Sequence, residues 1–184
     1  MAKTPSNMLA LGTKAPSFSL LDTISGETMT FENVRGPKGT VVMFICNHCP
    51  FVIHVQDELV SFAKDYMGQG IGVVAISAND VENYPEDSPE KMKKMGRRHS
   101  YPFPYLYDES QEVAQSYEAA CTPDFYFFDE NDSLIYRGQF DASRPGGGVP
   151  VTGEDLRAAC DAHLAGTPVS ADQKPSVGCN IKWR

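Results

Sequence analysis

Apolar positions along this chain alternate between short continuous runs and stripes of helical period. Residues 40–46, TVVMFIC, are almost unbrokenly apolar, and residues 71–77, IGVVAIS, form a second run of the same kind. Runs this short and this rich in Val and Ile predict strands buried on both faces. Between them Val52, Val55, Leu59, Phe62 and Tyr66 recur at spacings of three and four, the stripe of an amphipathic helix. Pro50 stands at the helix position that tolerates proline best, and Gly70 ends the pattern. Strand, helix and strand over this length predict a right-handed parallel crossover.

The flanking segments complete a mixed architecture. Phe18, Leu20 and Leu21, within residues 12–21, predict a short strand, and residues 28–31 its return after Ser25–Gly26. Ser88–Pro89 opens a second helix reaching about Gly96 or Arg98. Residues 101–107, YPFPYLY, carry Pro102 and Pro104, so an edge strand or loop is expected. Asp108 with Gln111 predicts the cap of a helix running to Ala119. Residues 124–129 and 133–138 predict a hairpin around Glu130, Asn131 and Asp132. Thr152 with Asp155 predicts a cap for a last helix ending near Leu164. The expected fold class is α/β, a central mixed sheet flanked by helices, with an N-terminal hairpin and an inserted helical segment. This order resembles the thioredoxin fold. Residues 1–165 are expected to form that domain, with 166–184 as an irregular tail packed on it.

Composition narrows the function. The 184 residues carry 41% hydrophobic and 22% charged residues, a globular balance, with a formal net charge of −8. That charge argues against nucleic acid or an anionic membrane as partner. Lys91, Lys93, Lys94, Arg97 and Arg98 form one cationic cluster, read as a solvated helix face, with a docking patch for an acidic partner as the lesser reading. The first ten residues hold no apolar core of signal-peptide length, and no stretch approaches a membrane span, so a cytoplasmic protein is expected.

Five cysteines stand at 46, 49, 121, 160 and 179, an odd number that does not suit a disulfide framework. Cys46-Asn47-His48-Cys49-Pro50 joins the end of a buried strand to the start of a helix. A helix N-terminus favours thiolate over thiol, and thiolate is the attacking species in disulfide exchange. Cys46 is therefore expected to attack and Cys49 to resolve, with His48 tuning the pair toward a more oxidising potential. Metal is the competing use of this spacing. A structural zinc site usually takes four ligands, and a second C-x-x-C or H-x-x-H is absent. No metal and no cofactor are expected, unless Cys121, Cys179 or a histidine converges on the pair in space.

Thr122–Pro123 precedes the strand DFYFF, where the thioredoxin fold carries a cis-proline facing the dithiol. That resemblance implies a cis bond at Pro123 and a backbone edge at which a substrate chain adds as a strand. More narrowly, GTKAPSFSLLDTISGETMTF, VVMFICNHCPF and CTPDFYFFDENDSLIYRG resemble the alkyl hydroperoxide reductase/thiol-specific antioxidant (redoxin) branch over residues 12–140. The C-x-x-C-P, C-T-P-D-F, S-R-P-G and G-C-N-I-K-W segments are similar to a peroxiredoxin-like subgroup within it. The resemblance implies redox or antioxidant activity at Cys46 and Cys49, with Pro50, Thr122 and Pro123 around them. Two departures stand out. Aligning the peroxidatic cysteine on Cys49 puts Cys46 where the branch has an activating threonine. The strand TVVMFIC also lacks the buried acid of thioredoxins.

Among the remaining candidates, Cys121 and Cys179 are read as resolving thiols or as packed side chains, and Cys160 as core. Trp183 is expected to anchor the tail by packing. His54 is read as solvated, and Arg144 as a loop or active-face arginine. The expected function is a thiol–disulfide oxidoreductase acting on a protein or small-molecule disulfide, supplied by an unidentified electron donor. The alternatives are a thiol peroxidase using Cys49 on peroxide, or a non-enzymatic binding or metal-thiolate module.

Overall fold

The computed structural model describes residues 3–184. A seven-stranded mixed sheet carries the structure, in the order β3-β2-β6-β5-β4-β8-β9. Its centre is the pair predicted from the two apolar runs, β4 (Gly39–Phe44) and β5 (Ile71–Ser77), parallel and in register from Gly39↔Ile71 to Phe44↔Ile76. The N-terminal hairpin is β2 (Ser19–Asp22) with β3 (Thr28–Thr30), and the second hairpin is β8 (Asp124–Phe128) with β9 (Leu134–Gly138). Strand β6 (Tyr105–Tyr107) lies between β2 and β5, not at an edge or in a loop. Both prolines of YPFPYLY precede the strand, and the Pro104 carbonyl still accepts from Ala75 N at 3.0 Å, so no ladder N–H is lost.

Alternate residues of the central strands feed two cores. Val41, Met43, Val73, Ala75, Phe125 and Phe127 face α2 (Pro50–Met67) and α5 (Glu154–Leu164), which contribute Leu59, Phe62, Leu156 and Cys160. Val42, Phe44, Val74, Ile76 and Tyr126 face the short helices α1 (Phe31–Val34) and α4 (Glu112–Ser116). Burial on both faces explains why the runs are continuous rather than alternating. The α2 stripe is buried as its spacing predicts, at Val52, Val55, Leu59, Phe62 and Tyr66. Helix α3 (Pro89–Arg98) follows a 3₁₀ turn at Pro85–Asp87. The expected helix caps are displaced: Gln111 and Gly153 occupy the N-caps in left-handed conformations, while Asp108 accepts from Ala114 N at 2.8 Å. No helix among the described residues is long and apolar enough to cross a membrane.

The tail has no regular structure over residues 166–176, as expected, but then forms a strand. A second sheet orders β1 (Lys3–Pro5), β10 (Val177–Asn180) and β7 (Cys121–Thr122), all antiparallel. Its partners lie far apart in sequence, so no local periodicity announces it. Beyond β10, Ile181 is buried and donates to Ala120 O at 3.0 Å, and Lys182 N donates to Asn79 Oδ1 at 2.8 Å. Trp183 is 42% exposed, so the anchor is Ile181 rather than the expected tryptophan. Gly178 lets β10 approach β7 closely, because a Cβ there would fall inside the radius of Thr122 O. Gly178→Ala is expected to destabilise the protein by about 1–3 kcal/mol through overpacking against rigid backbone. Urea denaturation of wild type and variant measures this, and an unchanged midpoint would show that β10 can simply shift.

Candidate functional site

The dithiol loop leaves the sheet when Ile45 N makes a last bond to Ile76 O at 3.0 Å, and enters α2 at Pro50. The N-cap of α2 is Cys49, whose carbonyl accepts from Val52 N and Ile53 N, each at 3.0 Å. The helix-end field expected at Cys46 therefore acts most directly on Cys49, because proline at N1 starts the helix one residue after the second cysteine.

Both sulfurs lie against one residue. Cys49 Sγ is 3.2 Å from Thr122 O, and Cys46 Sγ is 3.4 Å from Thr122 Oγ1. The Thr122–Pro123 peptide is cis, as the fold resemblance implies. Cys49 is fully buried, and Cys46 retains 3% of its surface. The Cys49 thiol is pulled down to about 5, chiefly by a hydrogen bond from Cys46, against burial and with help from Cys179 and the Val52 N–H. The Thr122 carbonyl accepts only from the protonated form and so opposes that shift. Cys46 is pushed well up by the same bond to Cys49, by burial and by the charge of Asp87. One proton is thus held between two sulfurs, and the pair titrates as a unit.

A third sulfur adjoins the pair. Cys179 stands opposite Thr122 in the β10–β7 ladder, shares a hydrogen bond with Cys49, and is pushed up to about 12 by burial and by that contact. Cys121 is buried one residue from Thr122 with Sγ 3.7 Å from Pro123 O, and burial pushes its thiol up. Cys160 is in the core under α5, as its helical stripe predicts. The edge expected to receive a substrate strand is filled by the chain itself, with Cys179↔Thr122 and Asn180↔Cys121 in register.

The acid missing from the central strand comes from elsewhere. Asp87 is fully buried at the end of the 3₁₀ turn. It accepts from Asn47 N and Asn79 Nδ2, each at 2.8 Å, and lies 2.7 Å from His48 Nδ1. Tyr105 OH donates to Asn47 Oδ1 at 3.0 Å, which fixes the loop further. His48 is half-buried and stacks on Tyr84 with ring centroids 5.9 Å apart. Cys46 Sγ, a His48 ring nitrogen and an Asp87 oxygen all lie within 4.8 Å of one another. This trio could hold a metal ion, but Asp87 is already engaged by Asn47, Asn79 and His48, and no fourth group joins the cluster among the described residues. Sequence reading missed Asp87 because PEDSP has no motif and its distance along the chain hides the contact. Asp124, directly after Pro123, is a second buried acid, pushed up to about 8 by burial against hydrogen bonds from Tyr126 and Phe125 N.

The other candidates lie outside the dithiol contact. His54 Nε2 pairs with Ser143 Oγ at 3.1 Å, so it is not simply solvated. The Arg144 guanidinium is committed to Asp141 O, Ser143 O and Gln139 Oε1 at 2.6–2.9 Å. Pro50 is exposed at the start of α2.

The AhpC/TSA family model matches residues 11–137. A search of curated proteins finds no match. The crystal structure of an uncharacterized conserved protein from Geobacillus kaustophilus is 59% identical, covers 100% of this chain and 97% of that one, and superposes with a TM-score of 0.98. That of a hypothetical protein from Sinorhizobium meliloti 1021 is 49% identical, covers 98% of each chain, and has a TM-score of 0.96. The solution structure of a putative thioredoxin from Neisseria meningitidis is 22% identical, covers 87% of this chain and 93% of that one, with a TM-score of 0.63. The last likeness shows the thioredoxin-like fold.

The lowered Cys49 pKa has a consequence for stability. Between about 5 and the unfolded cysteine value of about 8.5, the unfolded chain binds one more proton at Cys49 than the native one. Stability from Cys49 is therefore fully present above about 8.5 and lost as pH falls through about 5. Asp124 has the opposite slope but is present in both proteins compared. The stability of reduced wild type minus that of Cys49→Ser is expected to rise with pH across this window. Urea midpoints under reducing conditions measure it, and a flat difference would show that Cys49 is not a stabilised thiolate.

Proposed function

The chain belongs to the AhpC/TSA family, and on that premise we propose that it is a thiol–disulfide oxidoreductase that cycles Cys46 and Cys49 between dithiol and disulfide. The observation that carries this reading is the contact of both sulfurs with Thr122, beside the cis bond to Pro123. Two thiols sharing one proton at a helix start keep one sulfur deprotonated near neutral pH, Cys49 at rest and Cys46 once the proton moves across. Cys46 is the entry sulfur: though buried, it keeps 3% of its surface where Cys49 keeps none, and it lies beside the half-buried His48. When the shared proton sits on Cys49, Cys46 attacks a substrate disulfide and one substrate thiolate leaves. Cys49, deprotonated, then attacks Cys46 Sγ, closes the protein disulfide and releases the second thiolate. Asp87, near Cys46 and joined to His48, is suited to hold and pass the protons of these steps. With β10 along β7, a small-molecule disulfide suits this site better than an added protein strand.

One observation favours a peroxidase reading: a depressed thiol at an N-cap followed by Pro50. Against it, Cys46 takes the place of the activating threonine and Arg144 is engaged elsewhere. The two readings separate by mutation. Cys46→Ser and Cys49→Ser should each reduce disulfide-exchange turnover to the uncatalysed rate, measured by coupled reduction of a small aromatic disulfide. Retained exchange in both variants would sink the proposal. Rapid hydrogen peroxide consumption that survives Cys46→Ser and is lost in Cys49→Ser would instead establish the peroxidase.

A further inference from the structure

Beside the dithiol loop lies a cavity of ≈ 320 Å³ lined by Asn47, His48, Glu86, Lys91, Lys94, Met95 and Arg98. Asn47 and His48 are the two residues between the cysteines, so the cavity opens onto the dithiol loop itself. Lys91, Lys94 and Arg98 follow one another at three and four residues, which puts them on one face of α3. Lys91 is paired with Glu86 at 2.7 Å. Lys94 and Arg98 are exposed and make no ion pair among the described residues, whereas Arg35 and Arg157 are matched with carboxylates at 2.6–3.1 Å. Three cations against one lining carboxylate, Glu86, leave the cavity positive on a chain whose formal net charge is −8. Asp87 lies beneath, its carboxylate turned to Asn47, Asn79 and His48.

Resting on the dithiol reading above, we propose that this cavity selects the substrate, and that the substrate is a small disulfide carrying carboxylates. The size fits a small molecule, since ligand pockets begin at about 300 Å³. The backbone edge that would hold a peptide is occupied by β10. Lys94 and Arg98 hold the carboxylates, the thioether of Met95 supplies an apolar wall for the aliphatic arms, and the disulfide is presented to Cys46. The exchange balances within the site. Cys46 sulfur bonds to one substrate sulfur as the substrate S–S bond breaks. Cys49 then displaces the second substrate sulfur from Cys46. The protein loses two thiol protons and two electrons, and the substrate leaves as two thiols. A positive cavity also stabilises each departing thiolate.

Charge alone can be varied while the reacting bond is kept. Reduced protein is mixed with dithiodipropionate, hydroxyethyl disulfide and cystamine, which are dianionic, neutral and dicationic, and rates are followed by loss of thiol. The dianion is expected to react about tenfold faster than the neutral compound at low salt, with cystamine slowest. That advantage should shrink as salt is added. In the Lys94→Glu/Arg98→Glu double variant, both positions being exposed on α3, the dianion-to-neutral ratio should fall to one or below. Arg97→Glu, on the same helix but outside the cavity, should keep most of the ratio. Equal rates for all three disulfides in wild type would overturn the cavity assignment while leaving the dithiol reading intact. So would an equal loss of selectivity in Arg97→Glu, which would mean diffuse attraction by the helix. Failure to react with any of the three would sink the dithiol reading and this proposal together.

Discussion

The packing of two thiols against Thr122 is the contact on which the rest of the site depends. Thr122 belongs to β7, is followed by the cis bond to Pro123, and is held from the far side by β10. Its hydroxyl meets one sulfur and its carbonyl the other. The dithiol loop comes from β4 and the threonine from the segment entering β8, and these two strands are adjacent and in register from Thr40↔Phe128 to Phe44↔Asp124. The sheet therefore sets the distance between the two halves of the site, and its buried faces make that distance stiff.

Electrostatics at this contact are governed by burial. A proton shared between two sulfurs would count for little in water, where each thiol is solvated separately. Inside the protein the helix end, the Val52 N–H and the Cys46 thiol favour charge on Cys49, and Asp87 disfavours it on Cys46. Asp87 tolerates full burial because it accepts two hydrogen bonds, from Asn47 N and Asn79 Nδ2, each contributing about 1.5–3 kcal/mol, and has the His48 ring 2.7 Å away. The same bonds tie the loop to the segment before α3. They hold Asn47 and His48 near the helix that carries the cations, so the dithiol loop and the cation-lined cavity adjoin. The C-terminal strand acts in the other direction, covering the edge of β7 and placing a third sulfur at Cys49.

Much of this was legible from local pattern. The runs at β4 and β5, the α2 stripe with Pro50 at its start, and the β8–β9 hairpin with its polar turn all announce themselves within a window of a few residues. The dithiol was legible for the same reason, because its spacing and its strand–helix junction are both local. What escaped was non-local. Strand β6 starts directly after Pro104, and prolines so close to a strand predict an edge or loop whichever side of its boundary they fall. Strand β10 has ladder partners at Lys3–Pro5 and Cys121–Thr122, remote in sequence, and the tail is anchored by the smaller Ile181 rather than by Trp183. Asp87 carried no sign in PEDSP that it would be fully buried.

The amino-acid sequence by itself determined the thioredoxin-like α/β architecture and the presence of two thiols at the head of a helix, since periodicity and spacing encode backbone conformation over short range. The tertiary structure decided which of those thiols receives the helix end, which acid stands beside them, and which edge is closed. Those depend on through-space distances of a few ångströms between segments remote in the chain. Coulomb interaction and desolvation respond to such distances, and separation along the sequence does not report them.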